Sequence, residues 1–545
     1  MKQEHNHISY IGGILFFTGL ILIFISWYFT YPIHMPEIDE ITFTQFYPLI
    51  WPGMIFSLLG LFLTGYYSRR KIVKIICTSI FPMVLYIYVF YFSYIPTSDS
   101  GNVKAIFEIF HYTGINTVYE SYFHFPIYFT LNEMTSQILG FNANNLAIIF
   151  FILYGFLIAL YIYLFISKTI KNDVYQIAFF AAPLYFIATY SNINYQWVPQ
   201  TLALVFFLML LLLFFNQKKS VYKILGIIIF TVLVYTHLFI PAIFLLYIGI
   251  YSIKKKELRN SFLLMGCIYI AVLFFHLTYF LKDILIVFKE TLYGFGNEYI
   301  IHISNSFKEP TGFLSQIIST INRFRIPLIW VVLSTGFFVW FIKRKINFSN
   351  VALVLTGGIY IGIGLFYTIL GTRALQILFI PLVIGIGFFL SKWKKTTLIF
   401  ITIIIILSIF GPMRESYDSY QYQLNEEENT CNFLANTIST NQSSKVAIGG
   451  LISHYFIKKF DYINMNQDNH IDLWTIIPRN TEFNIFFDTH LKENAYIVYN
   501  PKLGKEVISN WMNEKNTSIL EDKILFNNKI FECGKTSVIK GRWIT

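Results

Sequence analysis

The chain has 545 residues, 55% of them hydrophobic and 13% charged, with a mean hydropathy of +0.56, which is more apolar surface than a soluble core could enclose. A soluble globular protein is excluded, and a polytopic membrane protein is expected. The net charge of +11 would fit a nucleic-acid binder, but the excess lysine and arginine lies in short loops between apolar runs, so it reports orientation in a membrane and no nucleic-acid partner.

A spanning helix takes roughly 20 apolar residues. Read in order, the chain offers about thirteen such segments: 8–30, 46–67, 73–94, 145–166, 174–192, 198–215, 223–238, 238–253, 261–281, 326–342, 350–370, 374–390 and 396–412. The first run lacks a small-residue cleavage site and is expected to remain as a helix rather than be removed as a signal. Arg69, Arg70, Lys71 and Lys74 follow the second span, and Lys168 and Lys171 follow the fourth. Every second loop continues the pattern: Lys218, Lys219 and Lys223; Lys254, Lys255, Lys256 and Arg259; Lys343, Arg344 and Lys345; Lys392, Lys394 and Lys395. Cytoplasmic loops carry such excess. The N-terminus is therefore expected inside and the tail from 413 outside. The alternation requires a tight hairpin at 223–253, rather than one long kinked helix, and a 95–144 stretch that does not cross.

That stretch reads YIPTSDSGNVKAIFEIFHYTGINTVYESYFHFPIYFTLNEMTSQILGF from Tyr94 to Phe141. Ser98 and Asp99 form an N-cap signal, and Val103, Ile106, Phe107 and Phe110 follow at i, i+3, i+4 and i+7. This is the pattern of an amphipathic helix lying on the interface, ended by Gly114. A second helix is expected from about Pro126, with Ile127, Leu131, Met134 and Ile138 on one face, ending at Gly140. Asp99 is a helix cap on its spacing alone. Glu108, Glu120, His111 and His124 read as solvated or interfacial groups.

Other ionisable residues map to the same outer level: His237 at a hairpin turn, His276 in a span, and Arg373 at the start of the span at 374. A guanidinium in the apolar context TILGTRALQIL suits a phosphate group, or snorkels to the headgroups at a helix end. His237 and His276 read as packing histidines. The run TGGIYIGIG, Thr356 to Gly364, reads as a close-packing helix face. Residues 282–325 are long for a connector, and such loops commonly close over sites.

After Pro412 the character changes. Runs at Lys445–Gly449 and Ala495–Tyr499, a helix-like Gly504–Met512 and a hairpin at Ser518–Glu532 predict a small extracytoplasmic α/β domain, with glycosylation triplets at Asn441 and Asn516. Cys77 and Cys267 fall in apolar spans, where inert buried thiols are expected. Cys431 and Cys533 could pair if the tail is outside. The four cysteines match no metal spacing.

The order of a span, an external Asp just after it, two interfacial helices and a span leading into short hairpins resembles the GT-C superfamily of integral membrane glycosyltransferases. The segments YESYFHFPIYFTLNEMTSQILG and NINYQWVPQTLALVFFLMLLLLF are similar to stretches of its prokaryotic members. The resemblance implies an inverting transferase that takes a sugar from a polyprenyl-phosphate-linked donor to an acceptor glycan, lipid or protein on the outer face. It implies Asp99 as the catalytic residue and Arg373 near the lipid phosphate, with His237, His276, Glu108, Tyr195 and Gln200 as further substrate-binding positions. It divides the chain into two N-terminal helices (1–72), a core (73–281) with the catalytic loop 95–144, a possible lid (282–325), C-terminal helices (326–412) and the tail domain (413–545). No Asp-x-Asp or Glu-x-Asp pair accompanies Asp99, so no metal or other cofactor is expected. A surface-polysaccharide polymerase or ligase, a transporter and a membrane scaffold are the alternatives. A transporter predicts internal repeats and charged or broken helices at midplane, and neither is evident.

Overall fold

The computed structural model describes residues 2–31, 47–91, parts of 103–115, 124–170, 174–189, 197–215, 220–275, 313–342, 347–364, 368–392 and 394–415, with Phe433 and five strands between 445 and 540 in the tail. The membrane part is all helical, as an apolar environment requires, because only a helix satisfies its own backbone hydrogen bonds within one segment. The helices are α1 (Lys2–Thr30), α2 (Ile50–Tyr67), α3 (Lys71–Leu85), α4 (Ile127–Leu139), α5 (Ala143–Thr169), α6 (Val174–Ala188), α7 (Pro199–Phe215), α8 (Ser220–Val234) and α9 (Phe239–Lys254). They continue with α10 (259–275), then α11 (Phe313–Ile342), α12 (Phe348–Gly364), α13 (Thr368–Lys392) and α14 (Lys394–Glu415). Among the described residues, His7–Thr30, Ile50–Tyr67, Asn145–Thr169 and Lys256–Phe275 are long and apolar enough to cross a membrane, and eight shorter apolar helices accompany them. The protein is a multi-pass membrane protein.

Three expectations are corrected. The helix leading into the 326–342 run starts at Phe313, so the last 13 residues of the anticipated 282–325 loop are helical, because FLSQIISTINRF already carries apolar periodicity. Arg373 lies in the second turn of α13, which starts at Thr368, and not at a span's first residue. Cys267 is exposed, unlike the buried Cys77, because α10 turns that side away from the bundle. In the TGGIYIGIG run only part of the small face is used: a Cβ at Gly357 would meet Leu378 of α13 at 2.9 Å, whereas Gly358 and Gly362 face open space.

The question of one kinked helix or two at 223–253 is settled by a side chain. The Lys223 Nζ at the start of α8 donates to the Glu257 carbonyl just past α9 at 3.4 Å, which requires the two helices to run back on each other. The other basic residues gather at the same kind of junction. Lys74 Nζ donates to the Gly65 carbonyl at 2.7 Å, the Tyr66 carbonyl at 3.3 Å and Gln176 Oε1 at 2.7 Å, and lies 5.2 Å from the Phe179 ring centroid. It thereby serves carbonyls in the last turn of α2, which have no intrahelical partner, and ties α2, α3 and α6 together.

The α1–α2 pair packs through glycine. A Cβ on Gly60 would run into the Phe16 backbone and would meet the Gly12 carbonyl at 2.7 Å, and one on Gly53 would meet the Gly19 carbonyl at 3.0 Å. Small residues allow this approach where lipid removes the hydrophobic drive between helices. At one end Ser9 and Thr64 exchange hydroxyl-to-carbonyl bonds of 3.2 and 3.4 Å. At the other, Tyr91 Oη donates to the Ile23 carbonyl at 2.7 Å and Trp27 Nε1 to the Phe90 carbonyl at 3.3 Å.

In the tail, β1 (Lys445–Gly449), β2 (Asp472–Thr475), β3 (Tyr496–Tyr499), β4 (Asn528–Cys533) and β5 (Thr536–Lys540) form one sheet in the order β2-β1-β3-β5-β4. The β1 strand pairs parallel with β2 and β3, while β3–β5 and β4–β5 are antiparallel. The hairpin lies later than Ser518–Glu532: Cys533 pairs with Thr536, leaving the two residues Gly534 and Lys535 between strands, a glycine-first pair of the type that favours tight hairpins. The sequence-based helix at Gly504–Met512, the triplets at Asn441 and Asn516, and Cys431 lie outside the described residues.

Gly60→Leu is expected to push α1 off α2 and to cost about 1–3 kcal/mol as an overpacked interface does. Cysteines placed at Ser9 and Thr64 should crosslink in the parent background and fail to do so when Gly60→Leu is added.

Candidate active site

The site region is built from the loop between α3 and α5. Residues 103–104, 106–108 and 110–111 are helical, and the four apolar positions read from the sequence, Val103, Ile106, Phe107 and Phe110, are all buried. Gly114 N–H closes the helix on the Phe110 carbonyl at 2.8 Å with a φ of 62°, a left-handed value that glycine adopts without a Cβ clash. The following α4 starts after Pro126 and ends at Gly140, whose φ is 68°. Its aliphatic positions share one face, as read from the sequence. Tyr128, Phe129 and Asn132 face the protein, while Leu131, Met134 and Ile138 are exposed, Ile138 by 76%. An interfacial helix has two apolar environments to choose between, and this one turns its aliphatic stripe to lipid and its aromatic and amide side to the bundle.

Two side chains that the sequence reading passed over organise this region. Trp197, just before α7, is fully buried; its Nε1 donates to Asn132 Oδ1 at 2.8 Å, and Asn132 Nδ2 donates to the Tyr128 carbonyl at 2.7 Å. The indole meets the Phe107 ring edge-on at 5.7 Å and lies 6.3 Å from Tyr128. Lys104 is only 5% exposed, and its Nζ lies 3.9 Å from Glu108 Oε1. A lysine this deeply buried is uncommon. The signal for Lys104 in the sequence was its i−4 relation to Glu108; Trp197 had no sequence signal beyond its place in the NINYQWVPQ segment.

The expected site residues fall as follows. Gln200, three residues beyond Trp197, is buried, and its Nε2 donates to Gln376 Oε1 on α13 at 3.4 Å. Gln376 is one helical turn beyond Arg373 on the same helix. Glu108 is in the Lys104 ion pair. His237 caps α9: its Nδ1 accepts from Phe239 N–H at 3.1 Å and Ile240 N–H at 3.4 Å, which fixes the ring by helix-end hydrogen bonding, the packing role. The turn that carries it accepts Ile127 N–H at the Tyr235 carbonyl, 3.3 Å, and so supports the start of α4. Asp99, Tyr195, His276 and Glu120 lie outside the described residues, as does most of the anticipated lid. Thus Gln200 joins α7 to the helix of Arg373 through Gln376, Trp197 joins the two loop helices through Phe107 and Asn132, and the turn before His237 supports the start of α4.

The two loop helices are also joined by His111 Nδ1 and Glu133 Oε1 at 2.9 Å, with Gln137 Nε2 donating to the same oxygen at 2.8 Å. His124 is buried, and loss of hydration lowers its pKa below the ordinary imidazole value. Among the described residues no three His, Cys, Asp or Glu side chains gather as around a metal ion. Beside the loop, an open groove of about 570 Å³ runs between α1, the turn at Ile87–Tyr91 and the start of α5, lined by apolar and aromatic side chains including Ile23, Phe24, Trp27, Tyr91 and Ile148.

No family model matches the chain, and no curated protein matches it. Solved structures overlap it over most of its length. ArnT from Cupriavidus metallidurans in the apo state is 10% identical, with 86% of this chain and 98% of that one covered and a TM-score of 0.46. The same protein bound to undecaprenyl phosphate gives 11% identity, the same coverage and 0.38. The Archaeoglobus fulgidus oligosaccharyltransferase tethered with an acceptor peptide gives 11%, with 87% of this chain and 74% of that one covered and 0.42. At these scores the overlaps assign neither activity nor site residues.

A base whose folded-state pKa is lowered contributes stability that is present above its unfolded pKa and is lost as pH falls through the folded one. The lowered His124 pKa therefore predicts destabilisation on acidification below the ordinary imidazole range, about 6.5. The thermal midpoint should fall between pH 7 and pH 5, and His124→Gln should fall less over the same window.

Proposed function

We propose that the protein is an inverting membrane glycosyltransferase that moves a sugar from a polyprenyl-phosphate-linked donor to an acceptor on the outer face of the membrane. The observation that supports the reading is the buried Lys104 in a docked loop, five residues beyond Asp99. A lysine ammonium at this place suits an anionic group, and the phosphate of a lipid-linked donor is such a group at a membrane surface. The apolar and aromatic lining of the groove at Tyr91 suits isoprene units.

In the proposed reaction an acceptor hydroxyl attacks the anomeric carbon. The new C–O bond forms as the bond from that carbon to the phosphate oxygen breaks, and the lipid phosphate leaves as an anion. Asp99 takes the hydroxyl proton. Lys104 and Arg373 stabilise the charge that grows on the departing phosphate, an effect that is largest where water is excluded. One displacement inverts the anomeric centre. Glu108 holds the Lys104 ammonium in place, and Gln200 with Gln376 sets the approach of α13. The tail domain, with its sheet edge at β2, is read as the acceptor-side module, and the alternation of basic loops supports a position outside the cell.

Asp99→Asn should lower transfer by about 10²- to 10⁴-fold, the usual contribution of a general base, with the protein still folded in detergent. Lys104→Met should chiefly weaken binding of the lipid phosphate. Undecaprenyl phosphate is a suitable probe, scored against undecaprenol, which has the same tail and no phosphate. Near-normal turnover in Asp99→Asn, or equal binding of the two lipids by the parent protein, would remove the reading.

A further inference from the structure

The groove beside the loop has one wall made by α1, which contributes Ile23, Phe24, Trp27 and Tyr31 along a single stripe. Facing them are the turn at Ile87–Tyr91, which leads into the loop, and Ile148 near the start of α5, which leaves it. The groove is thus bounded by both ends of the loop that forms the candidate site. Two polar atoms of its aromatic lining are already committed to backbone: Trp27 Nε1 donates to the Phe90 carbonyl at 3.3 Å, and Tyr91 Oη to the Ile23 carbonyl at 2.7 Å. These bonds hold α1 against the turn and leave the two rings to offer hydrocarbon. An apolar occupant suits such a lining, since a polar one would give up its hydration there.

The groove also opens towards lipid. Phe24 and Tyr31 are 63% and 47% exposed, and Phe17, Ile21 and Tyr28 continue the apolar surface of α1 beside them. A chain can therefore enter sideways from the bilayer without crossing water. The volume of about 570 Å³ falls within the usual range of small-molecule sites, about 300–1,000 Å³. Along the α1 wall the rings form a ladder: Phe24 stacks on Trp27 with centroids 5.9 Å apart, and Trp27 on Tyr31 at 5.0 Å. A polyprenyl chain repeats its methyl branch and double bond every four chain bonds of about 1.5 Å, which the zigzag shortens to a period of about 5 Å. The rungs and the isoprene units share that period, and a straight acyl chain has no branch to match it.

We propose that α1 is the outer wall of a track for the polyprenyl tail of the donor, and that the Phe24–Trp27–Tyr31 ladder selects an isoprenoid chain over a straight one. The inference rests on the function proposed above and names the residues that read the tail rather than the phosphate. No chemical step passes through them.

The test uses the full-length protein in detergent and compares geranylgeranyl phosphate with eicosyl phosphate, which have the same headgroup and carbon count and differ in branching and unsaturation. Geranylgeraniol serves as the tail without its phosphate. The parent should bind geranylgeranyl phosphate about tenfold tighter than eicosyl phosphate, and Phe24→Leu or Tyr31→Leu should each lower that ratio by about threefold, the scale of one aromatic contact. The double variant should bring the ratio near one, because the two positions lie apart on the helix and their effects add. The thermal midpoint should stay as in the parent, since both side chains are substantially exposed. Equal affinity of the parent for the two phosphates overturns the proposal. So does a fall in the midpoint with the ratio unchanged, which marks a structural role, or a bound phospholipid that geranylgeranyl phosphate does not displace. If the parent fails to prefer geranylgeranyl phosphate over geranylgeraniol, the functional reading falls and this inference with it. If that preference holds and the ladder variants leave the chain ratio intact, the functional reading stands and the role of the ladder alone is lost.

Discussion

Everything in this protein depends on the need to satisfy backbone polar groups where no water can reach them. That need makes every span a helix, and it also explains where the polar side chains go. Thr30, Thr231, Thr236 and Thr356 donate their hydroxyls to the carbonyl one turn back, so these four hydroxyls leave no donor unpaired. Lys74 extends the principle to a charge: its three acceptors include carbonyls at the end of α2 that the helix cannot itself satisfy. The glycine contacts of α1 and α2 follow from the same solvent, since lipid offers no hydrophobic reward for helix association and contact has to come from closeness.

Lys104 stands apart from that frame. Lys74 sits at a helix junction, whereas Lys104 is buried in the loop helix, with Glu108 at 3.9 Å. Lysine is seldom buried this deeply in a folded protein. Its neighbours are organised to keep it there: the aromatic seat around Trp197, the His111–Glu133 link between the loop helices, and the Ile127 bond to the turn at Tyr235.

Much of the helical plan was legible because apolar length and basic loops are coarse signals that survive any detail of packing. The hairpin at 223–253, the two loop helices and their glycine ends are where the sequence placed them, and β1 covers the run Lys445–Gly449. The failures share a physical cause. In water an apolar stripe marks the face that turns inward, but in a membrane lipid competes for it, so Cys267 was assigned to the inside, and the stripe of Leu131, Met134 and Ile138 did not by itself say that α4 turns its aromatic and amide face to the bundle. The positions of Lys104 and Trp197 depend on contacts more than 60 residues apart, such as Trp197 to Asn132, and no local pattern encodes those. The early start of α11 was hidden by Asn322, Arg323 and Arg325, polar residues that a hydropathy reading treats as loop.

The outward stripe of α4 has one more consequence. Ile138 and Met134 commit this helix to the hydrocarbon boundary, while Asn132 and the Ile127 N–H bolt its other side to protein. The height of the helix above the bilayer centre is thus fixed by the protein, and the surrounding lipid must rise or dip to meet it. The loop acts as a shoreline: local bilayer thickness adjusts around it at a modest cost per ångström.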